Sequence, residues 1–187
     1  MLSLKALLHK TSSFKSLITL FITSHLVSLL MMIFTFPEIN NQIGTKAFDL
    51  QPFGYTLLEA NSIINNLNDK TTAMYLFPQL SFFDLLYPIL LALFLSSFLF
   101  RLMNITKSNN RVSSILLIPP FLAMMFDYFE NLCIILMITK SLVPSENFVL
   151  LSSIFTILKG VLTSFSWISI SYYSIKWFWK KLNKNDT

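Results

Sequence analysis

Four long apolar runs alternate with short polar connections along the chain. Residues 17–36 carry no formal charge and one histidine, His25, and Pro37 is expected to stop the run. Residues 76–100 contain Asp84 and Pro88 and close at Arg101. Residues 113–138 open with Pro119 and Pro120 in their first third and carry Asp127 and Glu130. Residues 148–175 carry Lys159 and end in a collar of Tyr172, Tyr173, Lys176, Trp177, Trp179, Lys180 and Lys181. Each run reaches the roughly 20 residues a helix needs to cross a bilayer core, and amphipathic rings and long basic stems suit the headgroup boundary. Lys5, Lys10 and Lys15 precede the first run as they would in a signal peptide. The run is too long for a signal core and no small-x-small site follows, so an uncleaved anchor is expected.

The connection over residues 37–75 is the sizeable one. Within it, Thr56-Leu57-Leu58-Glu59 fits a capping box, in which hydroxyl and carboxylate each accept from a free N–H of the first helical turn. Leu57, Ala60, Ile64 and Leu67 then share a helical face. The pattern predicts an amphipathic helix over 56–67 lying on the mouth of the bundle, followed by a turn at Asn68-Asp69. A helix that only seals the bundle is an equal alternative. The expected fold is all-α: a four-helix transmembrane bundle forming one membrane domain over residues 1–187, with a short amphipathic helix in the first outer loop.

Composition agrees with the pattern. Of 187 residues, 54% are hydrophobic and 12% charged, and the mean hydropathy is +0.63; a soluble domain carries about 25% charged residues. The net charge of +5 does not indicate nucleic acid, because the basic residues flank the apolar runs and so face the headgroups of a lipid bilayer. Outside the runs, ten Lys and Arg fall on one side and three on the other. This bias predicts cytoplasmic N- and C-termini in a plasma membrane, or in the inner membrane of a bacterium. The single cysteine, Cys133, excludes an intrachain disulfide. No P-loop, dinucleotide or nucleophile-elbow motif is present, so no cofactor is expected.

Polar and small residues recur at helical spacing in every run: Ser24, Ser28 and Thr35 with His25 adjacent; Ser81, Asp84, Pro88, Ala92 and Ser96; Pro120, Ala123, Asp127, Glu130 and Asn131; Ser152, Thr156, Lys159, Thr163, Ser166 and Ser169. Close helix packing explains the hydroxyls. It does not explain the ionisable groups. Asp84, Asp127, Glu130 and Lys159 would cost roughly 10 kcal/mol if left unpaired in lipid, so they are expected to face one another. Position along the runs lets His25 and Asn131 join them. Three acids against one lysine leave negative charge for protons, a charged His25 or a cationic ligand to balance. No metal is expected, because neither paired cysteines nor a histidine cluster accompanies the acids. Pro88 leaves the Asp84 carbonyl without its helical donor, and a kink there would open space beside the carboxylate.

Asp84-Leu85-Leu86-Tyr87-Pro88 and Asp127-Tyr128-Phe129-Glu130-Asn131, with Gly54-Tyr55 in the outer loop, give D-x-x-[FY]-P and D-x-x-E-N motifs. Over residues 50–135 the chain resembles a group of small four-span membrane proteins without an established activity. In outline it is also similar to the sterol-isomerase and sigma-2-receptor superfamily. That likeness implies amphiphilic amines or sterols held near intramembrane acids, although the His and Glu positions of that superfamily do not align onto His25, Asp84, Asp127 and Glu130.

Three functions fit the pattern. The bundle could bind a lipid-like or amine amphiphile at His25, Asp84, Asp127, Glu130, Asn131 and Lys159; an enzymatic version would use one carboxyl as acid and another as base. It could be a structural or accessory subunit whose buried charges fix helix packing or recruit a partner membrane protein. Or it could be a proton-coupled transporter, which at this size would need a homo-oligomer.

Overall fold

A computed structural model describes residues 2–108 and 111–185. Among these every regular element is helical. Four helices are long and apolar enough to cross a membrane: Phe14–Ile43, Asp69–Ile105, Ser113–Ile138 and Glu146–Asn183. Their outward faces are apolar as well, with Phe21, Ile22, Leu26 and Leu29 exposed on the first and Ile154, Ile157, Val161 and Ile168 on the last. Such surfaces suit a hydrocarbon solvent, in which helices satisfy their own backbone groups.

The chain begins with a helix that the pattern of apolar runs did not predict, α1 (Leu2–Thr11). The first crossing follows as α2 (Phe14–Leu30), a π-helical stretch Met31–Thr35, and α3 (Phe36–Ile43). Ser13 caps α2 by accepting from the Ser16 N–H at 3.1 Å. The expected stop at Pro37 is corrected: the helical path runs on through Pro37, whose missing N–H falls where the π-helical stretch passes into α3, and Gly44 ends the helix at φ 71°.

The loop then makes a tight turn, Phe48–Leu50, and enters α4 (Leu57–Asn66). The reciprocal capping box between Thr56 and Glu59 is formed as its residues require. Glu59 accepts from the Thr56 N–H and O–H, which hold its carboxyl below the usual carboxylate range. Asn68 caps α5 (Asp69–Met74), and the second crossing continues through Tyr75–Phe83 into α6 (Asp84–Ile105). The non-helical residue in this crossing is Phe77 (φ −147°, ψ 125°), and α6 runs on through Pro88, so the backbone irregularity precedes Asp84 rather than following it. A short α7 (Arg111–Ile115) leads to α8 (Pro119–Ile138), with its prolines in the first turn, and α9 (Glu146–Asn185) completes the chain.

Helix α6 lies centrally, packed against α1, α2, α8 and α9, while α8 and α9 form the most extensive pair. Two apolar cores result. One, at the end bearing the loop, gathers Phe36, Ile39, Phe48, Tyr75, Ile134 and Met137. The other, at the end bearing most basic residues, gathers Leu8, Leu17, Leu95, Leu99, Met103 and Ile170. Leu8 is fully buried, which explains why α1 folds back onto α6. The Thr11 and Ser97 hydroxyls meet at 2.5 Å, and Arg101 donates to the Ser12 carbonyl at 2.9 Å.

Candidate functional site

The ionisable residues meet between the two cores. Asp127 and Glu130 lie about one turn apart on α8, and Lys159 reaches both from α9: its Nζ is 2.7 Å from Asp127 Oδ1 and 2.6 Å from Glu130 Oε2. Glu130 is completely buried. Thr156, one turn before Lys159, donates to Glu130 Oε1 at 2.7 Å, and Asn131 donates to Asp127 Oδ2 at 3.5 Å. A single ammonium therefore serves two carboxylates, and its charge is already engaged.

Asp84 stands apart from that triad, in the first turn of α6. Gln79 Nε2 donates to it at 3.4 Å, while the Gln79 carbonyl accepts from the Thr35 hydroxyl, so the amide links the first and second crossings. Gln79 is fully buried. The residue nearest in chemistry comes from the loop. Asp49, in the turn Phe48–Leu50, lines the same space as Asp84. Tyr75 fixes it, donating to Asp49 Oδ2 at 2.6 Å and accepting from the Phe48 N–H at 3.0 Å. Among the described residues no donor reaches the buried Asp49 Oδ1.

Four of these groups border a cavity of about 380 Å³. Asp49, Asp84, Asp127 and Lys159 give it polar walls, and Met31, Leu91, Leu95, Ala123 and Met124 give it apolar ones. Such a lining, mostly apolar with a few convergent polar groups, is characteristic of small-molecule sites. Among the described residues no three His, Cys, Asp or Glu side chains are arranged to hold a metal ion.

The structure thus gathers Asp127, Glu130, Asn131 and Lys159 into one cluster and places Asp84 on the wall of the same cavity as Asp127 and Lys159. It does not bring His25. That side chain is exposed on α2, its Nδ1 2.8 Å from the Phe21 carbonyl and 3.2 Å from Ser24 Oγ. Its ring centroid lies 4.1 Å from that of Phe21, tilted by 36°, and 6.4 Å from that of Phe94. The physical reason for this correction is helical geometry: adjacent residues are about 100° apart around the axis. Ser24 is the one that turns fully inward.

The loop is held over the cavity by contacts to α9. Tyr55 N–H donates to Ser153 Oγ, and Ser153 Oγ donates back to the Tyr55 carbonyl, both at 2.6 Å. The Tyr55 hydroxyl meets Ser152 Oγ at 2.6 Å. Burial, reinforced by the charge of Glu130, pushes the Tyr55 phenol up. Gly54 makes the approach possible: at φ +81° a side chain would be strained, and a Cβ would stand 2.9 Å from Ser153 Oγ.

Sequence reasoning missed Asp49, Gln79 and Tyr75 as parts of the site. Gln79 and Tyr75 are polar positions flanking the Asp84 motif, which was a usable signal. Asp49 sits in a loop turn without periodicity, which gave none. Comparison with family models, with curated proteins and with solved structures finds no match for this chain.

Proposed function

We propose that the protein is an integral membrane protein whose bundle binds a cationic amphiphile, a protonated amine on an apolar body. One observation carries this reading. Asp49 and Asp84 both line a largely apolar cavity, while the ammonium of Lys159 on the same wall is held by Asp127 and Glu130. An ammonium group would complete the carboxyl pair, and Met31, Leu91 and Leu95 would cover the apolar body. In this reading the triad of Lys159, Asp127 and Glu130 fixes α8 against α9, and so keeps the accessory role that buried charges can play within the same bundle. The basic end of the bundle faces the cytoplasm, by the distribution of Lys and Arg.

The test is ligand-induced thermal stabilisation of the purified protein across alkyl amines and the alcohols of equal length. Amines stabilise the native protein and alcohols do not. Asp84→Asn weakens the amine effect at least about tenfold, the equivalent of one charge-assisted hydrogen bond of about 1.5 kcal/mol. If Asp84→Asn and Asp49→Asn both leave amine stabilisation unchanged, the reading is wrong.

A further inference from the structure

A second cavity, of about 1000 Å³, opens at the opposite end of the bundle. Helix α6 forms its floor, with Phe94 and Leu102 buried, while α2 and α9 form the sides, with Phe21, Trp167 and Phe178 exposed. Both side helices pack against α6 but share no comparable contact with each other, which leaves the groove between them. It ends at an aromatic partition: Phe94 lies 5.3 Å from Phe21 and 6.0 Å from Trp167 by ring centroids. The acidic cavity shares no lining residue with this groove, so the two spaces are separate.

Among the described residues the groove has one charged wall residue, Arg101. Its Nη1 donates to the Ser12 carbonyl at 2.9 Å, and among the described residues no carboxylate pairs with it. A guanidinium has five N–H donors, so most of its fork is available. Trp177 and Trp179 flank the same end, and Lys181 lies 5.8 Å over the Trp177 ring, which marks this end as the headgroup level. From Trp167 to Trp179 the α9 wall extends about 18 Å at 1.5 Å per residue. That is close to the depth of one leaflet, half of a hydrocarbon core of about 30 Å.

We infer that this groove holds an anionic phospholipid, its phosphate on Arg101 and one acyl chain running between α2 and α9 toward Phe94. The match is chemical at both ends. A planar guanidinium fork recognises phosphate by two parallel hydrogen bonds, and the apolar trough runs from headgroup level toward the midplane, as an acyl chain does. A partner's spanning helix would fill the trough but leave the Arg101 fork without an anion.

The experiment starts from protein reconstituted in vesicles of equal parts phosphatidylglycerol and phosphatidylcholine, released into detergent and weighed by native mass spectrometry. The native protein retains phosphatidylglycerol in preference. Arg101→Gln lowers that retention about fivefold, the contribution of one basic residue to anionic-lipid binding. Ile175→Trp, which narrows the groove, lowers retention of both lipids. Lys180→Gln with Lys181→Gln, on the exposed collar, leaves the preference in place. An unchanged preference in Arg101→Gln overturns the inference, as does an equal loss in the Lys180/Lys181 variant. Because Arg101 also ties the α1–α2 link, native protein is cross-linked in parallel with phosphatidylglycerol bearing a photoreactive acyl chain. Adducts concentrated in residues 14–21, 94–105 and 167–179 support the site; adducts spread evenly over the exposed helix faces overturn it. Neither readout depends on amine binding.

Discussion

Lys159 is the residue on which the buried charges depend. Its ammonium is the cation paired, at 2.7 and 2.6 Å, with Asp127 and Glu130. Removing one member of such a cluster leaves the others desolvated and unpaired, which costs about 3–5 kcal/mol, whereas replacing all members by neutral groups of similar shape costs far less. Lys159→Met should therefore lower the apparent Tm in detergent sharply, and the triple variant Lys159→Met, Asp127→Asn, Glu130→Gln should recover most of the loss. If the single variant unfolds at the native temperature, the triad does not hold α8 to α9. These three residues were legible in the chain because charge in an apolar run is expensive and has few solutions. Asp49 was not legible, because nothing about a loop aspartate announces that Tyr75 will draw it into the bundle. His25 was misread through its neighbour, since a spacing that turns Ser24 inward cannot do the same for the next residue.

At the scale of elements, the irregular backbone collects around the acidic cavity. The π-helical stretch Met31–Thr35 contributes Met31 to its wall and Thr35 to the Gln79 link, and the segment Tyr75–Phe83, interrupted at Phe77, delivers Gln79 one turn and a half ahead of Asp84. Widened helical turns of this kind re-aim side chains and recur at functional sites. Sequence periodicity assumes a constant turn, so it located the crossings and could not show these shifts. Local chemistry was more transparent, as the Thr56–Glu59 box shows. It also makes a pH-dependent prediction. Because the Glu59 pKa is lowered in the folded chain, its contribution is fully present above the unfolded value of about 4.3 and is lost as pH falls through the folded value. Hydrogen exchange over residues 57–66 should be faster in Glu59→Gln than in the native protein at neutral pH, and the difference should vanish in acid. Thr56→Ala, which removes the N-cap, should speed exchange about fivefold for a cap of about 1 kcal/mol. Equal exchange in all three proteins at neutral pH would mean that α4 is held by packing alone, through Ala60 and Ile63, both fully buried.

For the whole molecule, the topology proposed above takes the four long apolar helices as crossings with both termini on one side, and assigns that side to the cytoplasm by the ten-to-three division of Lys and Arg. That choice has consequences for both cavities. With the basic end cytoplasmic, the Arg101 groove opens at the leaflet where anionic lipids concentrate, and the acidic cavity opens toward the opposite leaflet under the loop. Cysteine labelling reads the orientation directly once Cys133, which is buried, is replaced by alanine. A membrane-impermeant maleimide applied to intact cells should label Thr45→Cys and Val143→Cys, in the two connections at the loop end. Asn183→Cys, at the basic end, should react only after permeabilisation. Labelling of Asn183→Cys alone in intact cells would invert the molecule and place Arg101 in the leaflet poor in anionic lipid. Labelling of Thr45→Cys and Val143→Cys from opposite sides would mean that a crossing is missing between them. In that case Asp84 and Asp127 could not share a depth, because the antiparallel pair that carries them, α6 and α8, lies between those two connections.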